Sequence, residues 1–334
     1  MSPTLHIEAC GPGLTVQDAG RFGLRRYGVA WAGAADRARH ALANALVGNP
    51  AGAAALEVTV AGARLSSSGG PVRLAAVGAD LSVGGSAVPP ATAVDVPDGA
   101  EVTLSAARPG AYGYLAVSGG LLTAPEMGSR SAHLRSGLGG GSLEAGARLP
   151  CGPAPAGSLL RFAGRLPGAG GALRVVRGPQ DSHFSEGEWT RFLEVEWRVH
   201  PRSDRMGIRL DGPALRHRAS ADIVSDAVLP GVVQVPGDGR PLVLMRDCQT
   251  TGGYPKIACV IAADLDRLAQ SRAGDALRLV EVSPETALAA TRDYVAWLRA
   301  LPARLVAADA TPDRLHHANL IDGVHDARRA DPDG

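Results

Sequence analysis

The chain has 334 residues and a net charge of +1 with acids and bases interspersed, so no basic surface recommends nucleic acid or a membrane as a partner. Gly (43) and Pro (24) are abundant and the hydrophobic share is 45%, which excludes a disordered polymer and fits a turn-rich β protein. The N-terminus lacks a signal-like charge and apolar run, no stretch approaches the ~20 apolar residues of a membrane span, and Cys10, Cys151, Cys248 and Cys259 form no Cys-x-x-Cys pair, so a soluble, cytoplasmic protein with reduced thiols and no clustered metal site is expected.

Short β-like runs at 72–76, 81–83, 93–96, 102–106 and 112–117, separated by Gly, Pro or Asp-Gly turns, dominate the first half. A helix over 36–47 interrupts them, with Asp36 as N-cap, Ala38, Leu42, Ala45 and Leu46 on one face, and Gly48 just past its end. The weakly periodic segment 151–172 sets a boundary near 170. The second half resumes with a run from Leu173, a short helix from Asp181, and runs at 205–210, 232–235, 242–245 and 257–261. A small helix capped by Asp264 and a strand at 277–282 follow. Ser283 and Pro284 then open a last helix with Leu288, Thr291, Val295, Leu298 and Leu301 as its apolar stripe, read as an appendage to the β body. Beyond 309 the polar tail is expected to fray. The pattern predicts a mainly β protein with a few short helices, in lobes 1–170 and 171–283, with 284–334 as terminal helix and tail.

Three clusters combine polar residues with glycine. The first is Thr15-Val16-Gln17-Asp18-Ala19-Gly20-Arg21-Phe22-Gly23, continuing through Trp31, Gly33 and Asp36 to Asn44 and Asn49. The second is Ser203-Asp204-Arg205-Met206-Gly207. The third begins at Gly231, runs through Gln234 and Asp238-Gly239, and leads to Asp247-Cys248-Gln249-Thr250-Thr251-Gly252-Gly253-Tyr254-Pro255-Lys256. Lys256 is the only lysine among 34 basic residues. Lysine is a compact charge with a tunable pKa, whereas arginine is a fork that never deprotonates, so a site doing chemistry can need lysine specifically. Gly252 and Gly253 permit a tight backbone whose N–H groups could meet an anion beside the Thr250 and Thr251 hydroxyls. Pro255 precedes Lys256, which excludes a Walker A loop. Asp18 beside Arg21, and Asp204 beside Arg205, read as turn-forming ion pairs or as ionised carboxylates able to orient an amide. Gln17, Gln234 and Gln249 are amides suited to ureas, lactams and carboxylates. The run 137–141 reads as a turn rather than a dinucleotide loop. His183 reads as structural, and His316, His317 and His325 as solvated.

In this order, the motifs Thr15-Val-Gln-Asp-x-Gly-Arg-x-Gly, Asn44-x-Leu-Val-Gly-Asn, Ser203-Asp-Arg-Met-Gly-x-Arg-Leu-x-Gly and Gln249-Thr-Thr-Gly-Gly-Tyr-Pro resemble the carboxyltransferase subdomain A/B family, the KipA-like proteins, over about residues 5 to 283. Leu14, Ala32 and Ala35 depart from the family's usual Thr, Ser and Met. The resemblance implies two cyclophilin-like β-barrel lobes. It also implies work with a KipI-like B-type component and an A-type component of 5-oxoprolinase, opening the lactam of 5-oxoproline to glutamate with ATP. On that reading Lys256, Asp204 and Asp18 are the expected catalytic residues. Gln17, Arg21, Arg205, Gln234, Gln249, Thr250, Thr251, Gly252, Gly253 and Tyr254 are the expected substrate-binding residues. The alternatives are the carboxyltransferase part of a biotin enzyme acting on urea or a related amide, and a non-enzymatic regulator of a KipI-like partner. The chain has no biotin-bearing Met-Lys motif, so any biotin must come from a partner.

Overall fold

The computed structural model describes residues 2–168 and 170–308; the predicted frayed tail and its histidines lie outside the described residues. The protein is mainly β. In the first half, six antiparallel strands run in the order Arg148–Pro150, Thr4–Cys10, Ala63–Ser68, Glu101–Ala107, Ala79–Val83, Ser86–Val88. A five-stranded sheet faces them, ordered Thr15–Gln17, Ala55–Val58, Gly113–Val117, Val72–Val77, Ala93–Val96. Leu5, Ile7, Leu65 and Leu104 of one sheet share a core with Val16, Leu56, Leu74 and Leu115 of the other. Strands Val72–Val77 and Gly113–Val117 are buried along their whole length because helix α1 (Arg37–Leu46) covers their second face, packing Leu42 and Leu46 on Ala75, Tyr114 and Ala116. Small residues on both sides allow that close approach. As predicted, Asp36 caps α1, accepting from Arg39 N at 2.9 Å, a contact worth about 1 kcal/mol.

The second half forms an eight-stranded sheet ordered Ala276–Leu277, Trp197–Val199, Gly207–Asp211, Leu242–Leu244, Val232–Gln234, Lys256–Val260, Leu173–Arg177, Leu279–Glu281. Its two edge strands are consecutive in the chain, separated by Arg278 alone, so the sheet curls into a nearly closed barrel around Val175, Trp197, Ile208, Val233 and Ile257. The helix expected from Asp181 starts later. Asp181–His183 is a single 3₁₀ turn, and α2 (Glu186–Glu194) begins where the Ser185 side chain accepts from Glu188 N. A five-residue helix, α3 (Leu265–Ala269), follows the barrel strand Lys256–Val260.

Helix α4 (Pro284–Arg299) is capped by Ser283 as predicted, but it is not an appendage. Its inward stripe is the buried Tyr294 with the partly buried Ala287, Ala290, Trp297 and Leu298, which pack with Ala38 of α1 and with Ile261 and Ala263 of the barrel. Leu288 (50% exposed) and Val295, placed on the stripe from sequence, face out. Tyr294 fixes the rotation, since its hydroxyl donates to the buried Asp266 of α3. The segment 151–172 is likewise not merely loose, because Leu160–Phe162 pairs with Leu305–Ala307 and brings residues 305–307 back to the first lobe.

Candidate functional site

The three polar-glycine clusters converge at the seam between the lobes. Arg205, from the second, grips both oxygens of Asp247, from the third, at 2.8 Å each. It also donates to Glu57 Oε1 at 2.5 Å and to the carbonyl of Gly33, from the first, at 2.6 Å. Glu57 Oε2 accepts in turn from Ala35 N and the Tyr114 hydroxyl. Two carboxylates on one guanidinium compensate its burial. Arg205, expected to bind substrate, is thus committed to the seam.

Beside this clamp lies a cleft of about 500 Å³, within the usual range for small-molecule sites. Phe22, Trp31 and Arg37 form its first-lobe wall, Arg246 and Pro230 its barrel wall, and Leu298 of α4 closes one side. Arg246 is 7% exposed. One of its Nη atoms donates to the Ala19 carbonyl at 3.1 Å, its Nε has no partner, and its guanidinium sits 5.9 Å from the Trp31 ring centre. Among the described residues no carboxylate forms an ion pair with Arg246. Burial first, and then the Arg37 cation, hold its pKa down to about 10, so it remains charged at neutral pH. A buried cation without a counter-ion costs several kcal/mol unless an anion joins it.

Asp18 borders the same cleft. Its Oδ1 accepts from Gly20 N and from the Ser129 and Ser131 hydroxyls, while among the described residues Oδ2 accepts only from Arg130 N at 2.6 Å. Burial alone would raise its pKa, but these donors outweigh that and hold it below the ordinary value. Asp18 is therefore a fixed carboxylate with spare capacity on Oδ2, suited to orienting an N–H and poorly suited to taking its proton. Arg21 and Gln17 hold the loop that feeds it, Arg21 through the carbonyls of Glu126 and Ser129 and Gln17 through the carbonyl of Ala132. His40 also lines the cleft and is kept neutral at pH 7, since burial pushes its pKa down to about 4.

Lys256 belongs to a different cluster. It is 1% exposed, and its Nζ meets Asp226 Oδ2 at 3.2 Å. The Gln234 side chain accepts from Gln249 at 3.4 Å, and its own Nε2 has no partner. Gly252 and Gly253 do not form an anion nest. Thr251–Gly252 pairs with Asp226–Ala227 as a short ladder, and a Cβ on Gly252 would stand 2.4 Å from Gln234 Nε2, so the glycine is there for close approach. The Thr250 and Gly253 carbonyls accept from Val228 N and Ile223 N, while Thr251 and Tyr254 are exposed. Asp204 is exposed and closes its own turn, accepting from Met206 N and Gly207 N. No described hydrogen bond or ion pair joins Asp18, Asp204 and Lys256 to one another. Arg246, Arg37 and His40 were not anticipated, although Arg246 directly precedes the third cluster; one arginine among many gave no signal.

The family described as carboxyltransferase domain, subdomain A and B, matches residues 27–281. This chain belongs to that family. It is 38% identical over 305 residues to the C component of 5-oxoprolinase from Escherichia coli (strain K12), covering 90% of this chain and 98% of that one. Against the C component of 5-oxoprolinase from Haemophilus influenzae it is 35% identical, covering 82% and 89%. The solved structure of Kluyveromyces lactis urea carboxylase superposes with a TM-score of 0.82 at 25% identity, over 90% of this chain but only 29% of that longer one.

Proposed function

We propose that this family member is one component of a multi-chain, ATP-dependent 5-oxoprolinase and that its inter-lobe cleft holds the lactam. The observation carrying this reading is Arg246, a buried guanidinium with a free Nε and, among the described residues, no carboxylate within ion-pair distance, only the more distant Asp266, at a partly apolar cleft. The carboxylate of 5-oxoproline supplies the missing anion, the ring CH₂ groups lie against Trp31 and Phe22, and the lactam N–H donates to Asp18 Oδ2. The 5-oxoprolinase relatives at 38% and 35% identity support the substrate class.

ATP, when bound in the complex, supplies a phosphoryl group that makes an unreactive amide carbonyl electrophilic. The described residues do not fit a triphosphate. The first turns of α1, α2 and α4 are closed by Asp36, Ser185 and Ser283. ATP is therefore assigned to a partner chain, of KipI-like B type or of A type, and this chain binds the lactam, orients its N–H and shields it from water. Co-purification with candidate partners, followed by glutamate release from 5-oxoproline with and without ATP, tests the reading. ATP-dependent glutamate release is expected. Turnover of urea with a biotinylated partner instead would favour the carboxyltransferase alternative, and tight partner binding without turnover of either would favour a regulator.

A further inference from the structure

The Lys256 cluster lies outside the cleft and is unused by the reading above. Lys256 stands on the barrel strand Lys256–Val260 and pairs in register with Gln234 on strand Val232–Gln234. Its ammonium is buried, yet the carboxylate facing it belongs to Asp226, whose side chain is 55% exposed on a surface strap. Two amide atoms nearby are buried and unsatisfied: the donor Nε2 of Gln234, which is 0% exposed, and the acceptor Oε1 of Gln180, whose side chain also reaches Asp226. A full cation, a free donor and a free acceptor grouped about the Lys256–Asp226 pair are the complement of an anion that carries its own proton donor.

A strap over this group is held lightly at its crest and firmly at its end. Ile223 N and Val228 N donate to the carbonyls of Gly253 and Thr250, the ladder with Thr251–Gly252 is two residues long, and Val224 at the crest is 92% exposed, whereas Val228 is 1% exposed in an apolar cluster with Val232 and Leu244 and its carbonyl accepts from Arg25 at 2.6 Å. The crest, with few buried contacts, opens at low free-energy cost.

We propose that the pocket beneath residues 222–228 is a second binding site, for a small oxyanion bearing an O–H or N–H group, and that Asp226 fills it here as a built-in stand-in. Lys256 neutralises the ligand charge, Gln234 Nε2 donates to a ligand oxygen, and Gln180 Oε1 accepts the ligand proton. Binding displaces the Asp226 carboxylate and lifts the strap.

The solitary lysine makes the test direct: the full-length protein labelled with ¹³C at lysine Cε gives one resonance, from Lys256. Inorganic phosphate, bicarbonate and 5-oxoproline are titrated separately at constant ionic strength with chloride as the control. A saturable shift with at least one of them is expected, and Asp226→Asn should bind that probe about tenfold or more tightly, since the competing carboxylate is gone. Gln234→Met should weaken it with the lysine resonance still in place, and Arg246→Gln should leave it unchanged, which separates this site from the cleft. A resonance that fails to saturate with all three probes in both the wild type and Asp226→Asn, or an Asp226→Asn affinity no tighter than wild type, would overturn the proposal.

Discussion

Arg246 and His40 show how the same burial gives two side chains opposite tasks. The guanidinium keeps its charge, at a pKa of about 10, and so seeks an anion, whereas the imidazole loses its charge. For His40 the folded pKa, about 4, lies below the unfolded value of 6.5. The unfolded chain therefore binds the extra proton, and the stability contributed by neutral His40, at most about 3 kcal/mol, is complete above pH 6.5 and is lost as pH falls towards 4. Asp36 acts in the opposite sense. Burial and then the Asp266 carboxylate raise its pKa to about 6, so it gains stability on acidification across the same window. His40→Gln should accordingly lose less stability than the wild type between pH 7 and pH 5 by urea unfolding; equal losses would show that His40 is not the titrating group. Asp18 was legible in the sequence as a polar residue beside glycine, but its role was not. The serines that hold it, Ser129 and Ser131, lie more than 100 positions away, beyond any local pattern.

Elements were most legible where local chemistry decides them. The predicted runs near 72, 93 and 112 are strands, and α1 runs between its cap Asp36 and Gly48, whose φ of +78° suits a residue without a side chain. The stripe of α4 was right at Leu298 and Leu301 and wrong at Leu288 and Val295, because Ala287, Ala290 and Tyr294 face inward there and the rotation is set by a bond to Asp266 that no helical periodicity reveals. Strands Thr4–Cys10, Thr15–Gln17, Ala55–Val58 and Ala63–Ser68 are not among the predicted runs, which begin at 72. Gly33 carries an element-scale prediction. Its φ is +86°, and a Cβ there would lie 2.8 Å from the Ala19 carbonyl oxygen. Gly33→Ala should therefore destabilise by about 1–3 kcal/mol, read as a lowered melting temperature; an unchanged melting temperature would mean the loop relaxes freely.

At the scale of the whole molecule, the three sequence clusters are explained chiefly by the seam. Gly33, Arg205 and Asp247 meet there with Glu57, a residue without any motif signal. Polar density in the sequence thus marked the lobe contact and the cleft it frames, while Lys256 lies apart from both and pairs with Asp226. Arg205→Met would leave Glu57 and Asp247 buried without their cation. A loss of about 3–5 kcal/mol is expected from urea unfolding at pH 7, and a variant as stable as the wild type would remove the clamp from the account. The central claim is that the cleft reads an anionic lactam through Arg246. Its most direct measurement is kcat/KM for 5-oxoproline in the reconstituted complex with Arg246→Gln. The account predicts a fall of about 10- to 100-fold, the worth of one charged hydrogen-bonded contact, carried mainly by KM with the complex still assembled; an unchanged kcat/KM would contradict it.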